Sequence, residues 1–225
     1  MYETRRWLAA VSLCTLIALS STHAAADEAN DTDVGAYILQ AEMAMQREDY
    51  LMAVREYRKA AEFSDNPKVA QKAAATGMAF GFDEEALRAA KRWVELAPDS
   101  DEALVHLAQL QLRSGDVRSA KRSFATLLEH GDGAPDERLF RLMSFITQED
   151  PSDADELMRA LAKPYKDSAL AQYAMGAVAL QADDAEFARE AAQRAIDIEP
   201  NWMKAKLLYA RALLEIGRAS CRERG

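Results

Sequence analysis

Small and apolar positions recur with a helical period from Val34 to Glu215, three and four residues apart on one face, broken by short polar or Gly/Asp steps. One pattern repeats within this stretch. It reads Asp49-Tyr50-x-x-Ala53-x-x-x-Tyr57-x-x-Ala60, and next Gly81-Phe82-x-x-x-Ala86-x-x-x-Ala90-x-x-Trp93. The third copy is Gly115-Asp116-Val117-x-x-Ala120-x-x-x-Phe124-x-x-Leu127. A weaker fourth is Asp150-Pro151-x-x-Ala154-x-x-x-Met158-x-x-Leu161, and the fifth is Asp184-Ala185-x-x-Ala188-x-x-x-Ala192-x-x-Ala195. Ala53, Ala86, Ala120, Ala154 and Ala188 are 33, 34, 34 and 34 residues apart. A fixed period of this length marks a repeat architecture in which each unit buries its apolar face against the next.

Each repeat reads as two helices. The first carries a small residue (Ala41, Ala74, Ala108, Gly176 or Ala210) where its partner packs closely, because only a small side chain lets two helix backbones approach. Gly115-Asp116 and Asp183-Asp184 supply the tight turn. Pro98 and Pro200 end the second helix, since proline biases the residue before it away from helix. A general four-helix bundle would not demand this period.

These residues resemble the tetratricopeptide repeat (TPR) family over nearly the whole stretch. The resemblance implies an all-α, right-handed α-solenoid of helix-turn-helix repeats near 34–66, 67–100, 101–134, 135–168 and 169–202, with a half repeat at 203–215. The first repeat lacks the closing proline. The fourth departs most, with Pro151 in the turn and the bulky Phe140 and Phe145 in its first helix. Pro164-Tyr165 breaks the chain before Ser168, at the join to the fifth repeat. From Trp202 onward the chain reads as the first helix of a sixth repeat, with Ala205, Tyr209, Ala210 and Leu213 in phase. It is expected to leave apolar surface exposed at its end.

The two ends differ from this body. Residues 1–26 have the layout of a secretory signal peptide: Arg5-Arg6, an apolar run from Trp7 to Leu19, then small residues with cleavage expected after Ala24 or Ala26. The run is shorter than the roughly 20 residues that span a bilayer. Cys14 follows Leu13 rather than a small residue, so it does not read as a lipoprotein cysteine, and Thr4-Arg5-Arg6 is a poor twin-arginine match. The expectation is a periplasmic or secreted protein with no stable membrane anchor after cleavage. Residues 27–33 form a short linker. Ile216 to Arg224 resembles one reading frame of a DNA sequencing adapter over nine residues, with Gly225 departing from it, so 216–225 reads as a non-native tail and the chain as a fragment.

Composition changes the picture in two ways. The 225 residues carry 28 Lys+Arg against 37 Asp+Glu, a net charge of −9. The two ends hold five arginines and two glutamates, so the body is more acidic still. No basic excess exists to neutralise phosphates, and nucleic acid is not an expected partner. The only cysteines, Cys14 and Cys221, lie in the ends. Two cysteines and three histidines exclude zinc and disulfide frameworks.

No catalytic constellation stands out. His106 and His130 lack the spacing of a metal or acid–base motif, no Gly-x-Ser-x-Gly turn exists, and no Gly-rich phosphate loop is present. The carboxylates at Asp153, Asp155 and Glu156 and at Asp183, Asp184 and Glu186 read as solvated helix starts. The chain is therefore expected not to be an enzyme, to need no cofactor or metal, and to bind no small-molecule substrate.

The TPR resemblance implies a ligand groove lined by the first helix of each repeat. Its fifth, ninth and twelfth positions fall on Ile38, Glu42 and Met45, then Gln71, Ala75 and Met78, then Val105, Gln109 and Leu112. They continue on Leu139, Met143 and Ile146, and on Tyr173, Ala177 and Leu180, with Arg113 at the thirteenth position of the third repeat as the main cation. The groove would be apolar and methionine-rich, suited to a segment of another protein. A protein-interaction scaffold in the bacterial envelope, acting in envelope or outer-membrane protein assembly, is the leading expectation. The alternatives are the adaptor part of a longer envelope enzyme and a self-associating repeat protein.

Overall fold

The computed structural model describes residues 33–130 and 133–222. The expected signal peptide lies outside them, as do the linker up to residue 32 and residues 223–225. Among the described residues the chain forms eleven α-helices, one short 3-10 helix and no strand. It divides into two compact units, one through Leu96 and one from Ala97.

The first unit holds α1 (33–46), α2 (Tyr50–Phe63), α3 (Pro67–Ala79) and α4 (Asp83–Leu96). The second holds α5 (Asp101–Arg113), α6 (Val117–His130), α7 (Pro135–Ile146), α8 (Pro151–Ala162), α9 (Ala169–Gln181), α10 (Ala185–Ile198) and α11 (Met203–Arg222). A 3-10 turn at Lys163–Tyr165 fills the Pro164 break. Within each unit the helices pack as successive antiparallel hairpins, α3 on α4, α5 on α6 and α9 on α10.

Local chemistry sets these boundaries. Asp49, Asp150 and Asp184 cap the second helices of their hairpins by accepting from Met52, Ser152 with Asp153, and Phe187 backbone N–H groups. Asn66, Ser100 and Ser168 do the same for α3, α5 and α9. Each cap satisfies N–H donors that the helix start leaves open. Four of the five hairpin turns share one closure, in which an N–H reaches back five residues: Asp49 to Ala44, Phe82 to Gly77, Asp116 to Gln111 and Asp184 to Ala179, at 2.9–3.0 Å. That bond needs the preceding residue in the left-handed region. Gly81 (φ 74°) and Gly115 (φ 76°) adopt it freely, whereas Glu48 (60°) and Asp183 (61°) adopt it with a side chain.

The fourth hairpin departs from this pattern, as its sequence does. Glu149 stands where those four residues stand, and it does not have a positive φ. Its side chain turns inward instead and is 2% exposed, held by Arg113.

The small-residue spacing of the sequence is the packing of the structure. Ala53, Ala86, Ala120, Ala154 and Ala188 are all fully buried, as are Ala41, Ala74 and Ala108. Among the described glycines of the first unit only Gly77 stands against a neighbouring helix, at a position the periodicity did not single out. A Cβ there would lie 2.7 Å from the Ala86 Cβ. At Gly176 it would meet the Ala188 carbonyl oxygen at 3.1 Å and Ala191 and Leu208 at 3.2 Å. The first unit builds its core from alanines around Tyr57 and Trp93, and the second from larger side chains centred on Phe124, Leu139, Ile146, Leu157 and Met158.

The end of the chain differs from expectation in two respects. Helix α11 runs unbroken for 20 residues to Arg222, past the expected boundary at Glu215. No proline or Gly/Asp step interrupts it, and Gly217, the poorest helix former between Ile216 and Arg222, is accommodated within it. Its buried side is Ala205, Leu208 and Ala212, while Ala210 is exposed. Among the described residues no second helix of a sixth repeat packs on it. Leu213 and Leu214 are exposed, as expected of this end.

Candidate functional site

The expected groove positions divide into three groups. Leu112, Leu139, Ile146 and Gln109 do not face a ligand. They are 0–5% exposed and belong to the interior. Within unit 2, Leu112, Leu139 and Ile146 turn into the hairpin core, whereas Leu180, also a twelfth position, stays half-buried.

Arg113 is also corrected. Its Nε and Nη2 donate to the two carboxylate oxygens of Glu149, both at 2.8 Å. A buried carboxylate costs several kcal/mol unless paired, so this fork holds the fourth turn together and does not serve as an open cation. The unusual turn of the fourth hairpin and the position of Arg113 are thus one feature.

The first unit keeps Ile38, Met45, Gln71 and Met78 half-buried. Beside them a polar cluster ties three helices together. Glu42 on α1 accepts from the Tyr57 hydroxyl on α2 at 2.5 Å and from Lys72 Nζ on α3 at 2.6 Å. The Lys72 ammonium also lies 5.0 Å from the Tyr57 ring centre. The hydrogen bond from Lys72, then that from Tyr57, holds the Glu42 carboxyl below the usual carboxylate range. Burial, then the bond to Glu42, raises the Tyr57 phenol.

The second unit brings the remaining positions together. Met143 of α7 with Tyr173, Ala177 and Leu180 of α9 line one cavity of about 400 Å³. Val105 lies half-buried on α5 in the same unit, packed against the core. The opposite wall of the cavity is α11, which contributes Lys204, Leu207, Leu208 and Arg211. At one end Tyr173 packs on Trp202 (ring centres 4.8 Å apart) and both approach Phe140 (5.8 and 6.2 Å). Lys204 Nζ stands 5.7 Å from the Phe140 ring centre. At the rim, the Gln181 amide donates to the Thr147 carbonyl at 2.9 Å and fixes the spacing of α7 and α9.

The α11 side of the cavity was missed, yet its signal was present. Adding the 34-residue period to Tyr173 and Ala177 gives Leu207 and Arg211. A half repeat still presents the groove face of its first helix.

The other chemistry-bearing residues are structural. His106 Nδ1 contacts the Glu102 carbonyl oxygen at 2.9 Å and His130 Nδ1 that of Thr126 at 3.0 Å, each on its own helix. Asp155 pairs with Arg159, which also reaches Asp184 at 2.7 Å. Among the described residues no group of three or more His, Cys, Asp or Glu side chains could hold a metal ion. No described helix is long and apolar enough to cross a membrane.

No family model matches the chain, and no curated protein matches it. Solved structures are similar to it at low identity. YrrB, described as a TPR protein with an unusual peptide-binding site, is 21% identical over 84% of this chain and 96% of its own, with a TM-score of 0.42. A tetratricopeptide repeat protein from Parabacteroides merdae ATCC 43184 is 14% identical over 84% of this chain and 75% of its own, with a TM-score of 0.46. MamA is 20% identical over 85% of this chain and 92% of its own, with a TM-score of 0.39. The fold itself is read from this chain's own geometry: hairpins at a 33–34-residue period, a buried alanine at the same place in the second helix of all five, and one turn closure in four of five hairpins. On that geometry the chain has the tetratricopeptide-repeat fold.

Proposed function

We propose that this chain is a non-catalytic scaffold that holds a segment of another protein in the groove between α7, α9 and α11. The observation that carries this reading is the cavity itself. It is open, walled by Met143, Tyr173, Leu180 and Leu207, and Leu207 is 60% exposed. An exposed leucine beside half-buried aromatic and methionine side chains gains free energy when a partner covers it, at about 25 cal/mol per Å² of apolar area removed from water. Methionine adapts to varied partner side chains. The signal-like residues 1–26 support an exported location, and with it a role in assembling proteins of the cell envelope.

Immobilised chain and two variants, Leu207→Asp and Met143→Asp, test this reading with an envelope extract of the source organism. Leu207 is 60% exposed, so its variant is expected to fold, whereas Met143 also packs on the core, so circular dichroism checks the folding of its variant. The expected result is a defined protein retained by the parent chain and lost from both variants. Equal retention by all three would remove the groove from the account.

A further inference from the structure

The groove is apolar along its floor and cationic at two points. Lys204 and Arg211 are both exposed, both on α11, and both line the same cavity. They are seven residues apart, two helical turns, so their positions are separated by about 10 Å along the α11 axis. Among the described residues neither is in an ion pair, in contrast with Arg88, Arg113 and Arg159, which each meet a carboxylate. Lys204 Nζ stands over the face of Phe140, 5.7 Å from the ring centre. Asp183 and Glu215 line the adjoining cavity with Arg211, in no ion pair with it, and Glu215 is paired with Arg218 at 2.6 Å. Two cations outside any ion pair at an apolar cavity stand out on a chain of net charge −9.

We infer that the groove selects an amphipathic partner helix carrying two acidic side chains seven residues apart, with two large apolar side chains midway between them. Resting on the groove reading above, this names the chemistry of its occupant. A helix laid along α11 repeats at the same rise per residue, so its carboxylates at that spacing meet Lys204 and Arg211 together. The intervening apolar pair enters the space between Tyr173, Leu180 and Leu207. The overall acidity of the chain rejects acidic segments elsewhere, which confines recognition to this point.

The test titrates the full chain with two terminally blocked, alanine-based helical peptides and reads binding by isothermal titration calorimetry. One peptide carries two glutamates seven residues apart with two leucines midway, and the other replaces both glutamates by glutamine. Blocked ends exclude recognition of a terminal carboxylate. The acidic peptide is expected to bind about tenfold more tightly, as two partly screened ion pairs allow. That preference should vanish in the Lys204→Gln/Arg211→Gln double variant and shrink with added salt. Equal binding of both peptides, lost on Leu207→Asp, would overturn the charge selection and leave the groove reading standing. Failure of the acidic peptide to bind would overturn the proposed occupant, while retention of a partner by the parent chain alone would keep the groove.

Discussion

At single positions, strain and close packing make opposite demands on glycine. Glu48 and Asp183 hold the left-handed conformation that Gly81 and Gly115 hold at the equivalent turns. Glu48→Gly relieves a side chain from that region, and urea unfolding is expected to show a gain of about 0.5–1 kcal/mol. A loss would mean that the Glu48 side chain contributes more than its backbone costs. Gly77→Ala acts in the other direction. Its new methyl would stand 2.7 Å from the Ala86 Cβ, so α3 and α4 must separate, and the expected loss is about 1–2 kcal/mol despite the better helix former. Glu42 gives a pH signature. Its folded carboxyl titrates below the usual range, so its contribution is present above the unfolded value of about 4.3 and is lost as pH falls through the lower folded value. The stability difference between the parent and Glu42→Gln should therefore be full at neutral pH and close in acid. A difference that stays constant with pH would assign the effect to packing.

Among the helices, the sequence made most of the architecture readable and part of the site unreadable. Turn residues and small residues at a fixed period are local or periodic signals, and helices form around the positions they mark. Which positions of a first helix face outward is not local, because it depends on how neighbouring hairpins stack. Leu139 and Ile146 were therefore indistinguishable in sequence from Met143, although the first two are fully buried. Arg113 looked like an open cation because its partner, Glu149, lies 36 residues away at an atypical turn. Substitution separates these roles. Leu139→Ala is expected to cost about 2–5 kcal/mol in chemical unfolding, whereas Leu207→Ala should change stability by less than about 0.5 kcal/mol. Similar costs at both positions would contradict the division between core and groove.

For the molecule as a whole, the account joins an acidic chain, an expected export signal and one apolar, locally cationic groove. The most direct measurement places a photo-crosslinking amino acid at Leu207 in one variant of the full chain and at Lys121 in another, and compares their products in the source organism. Lys121 is exposed on α6 and does not line the groove. The account expects a discrete crosslinked partner from Leu207, absent from Lys121 and lost when Tyr173→Asp is added. The same products from both positions, or none from Leu207, would contradict it.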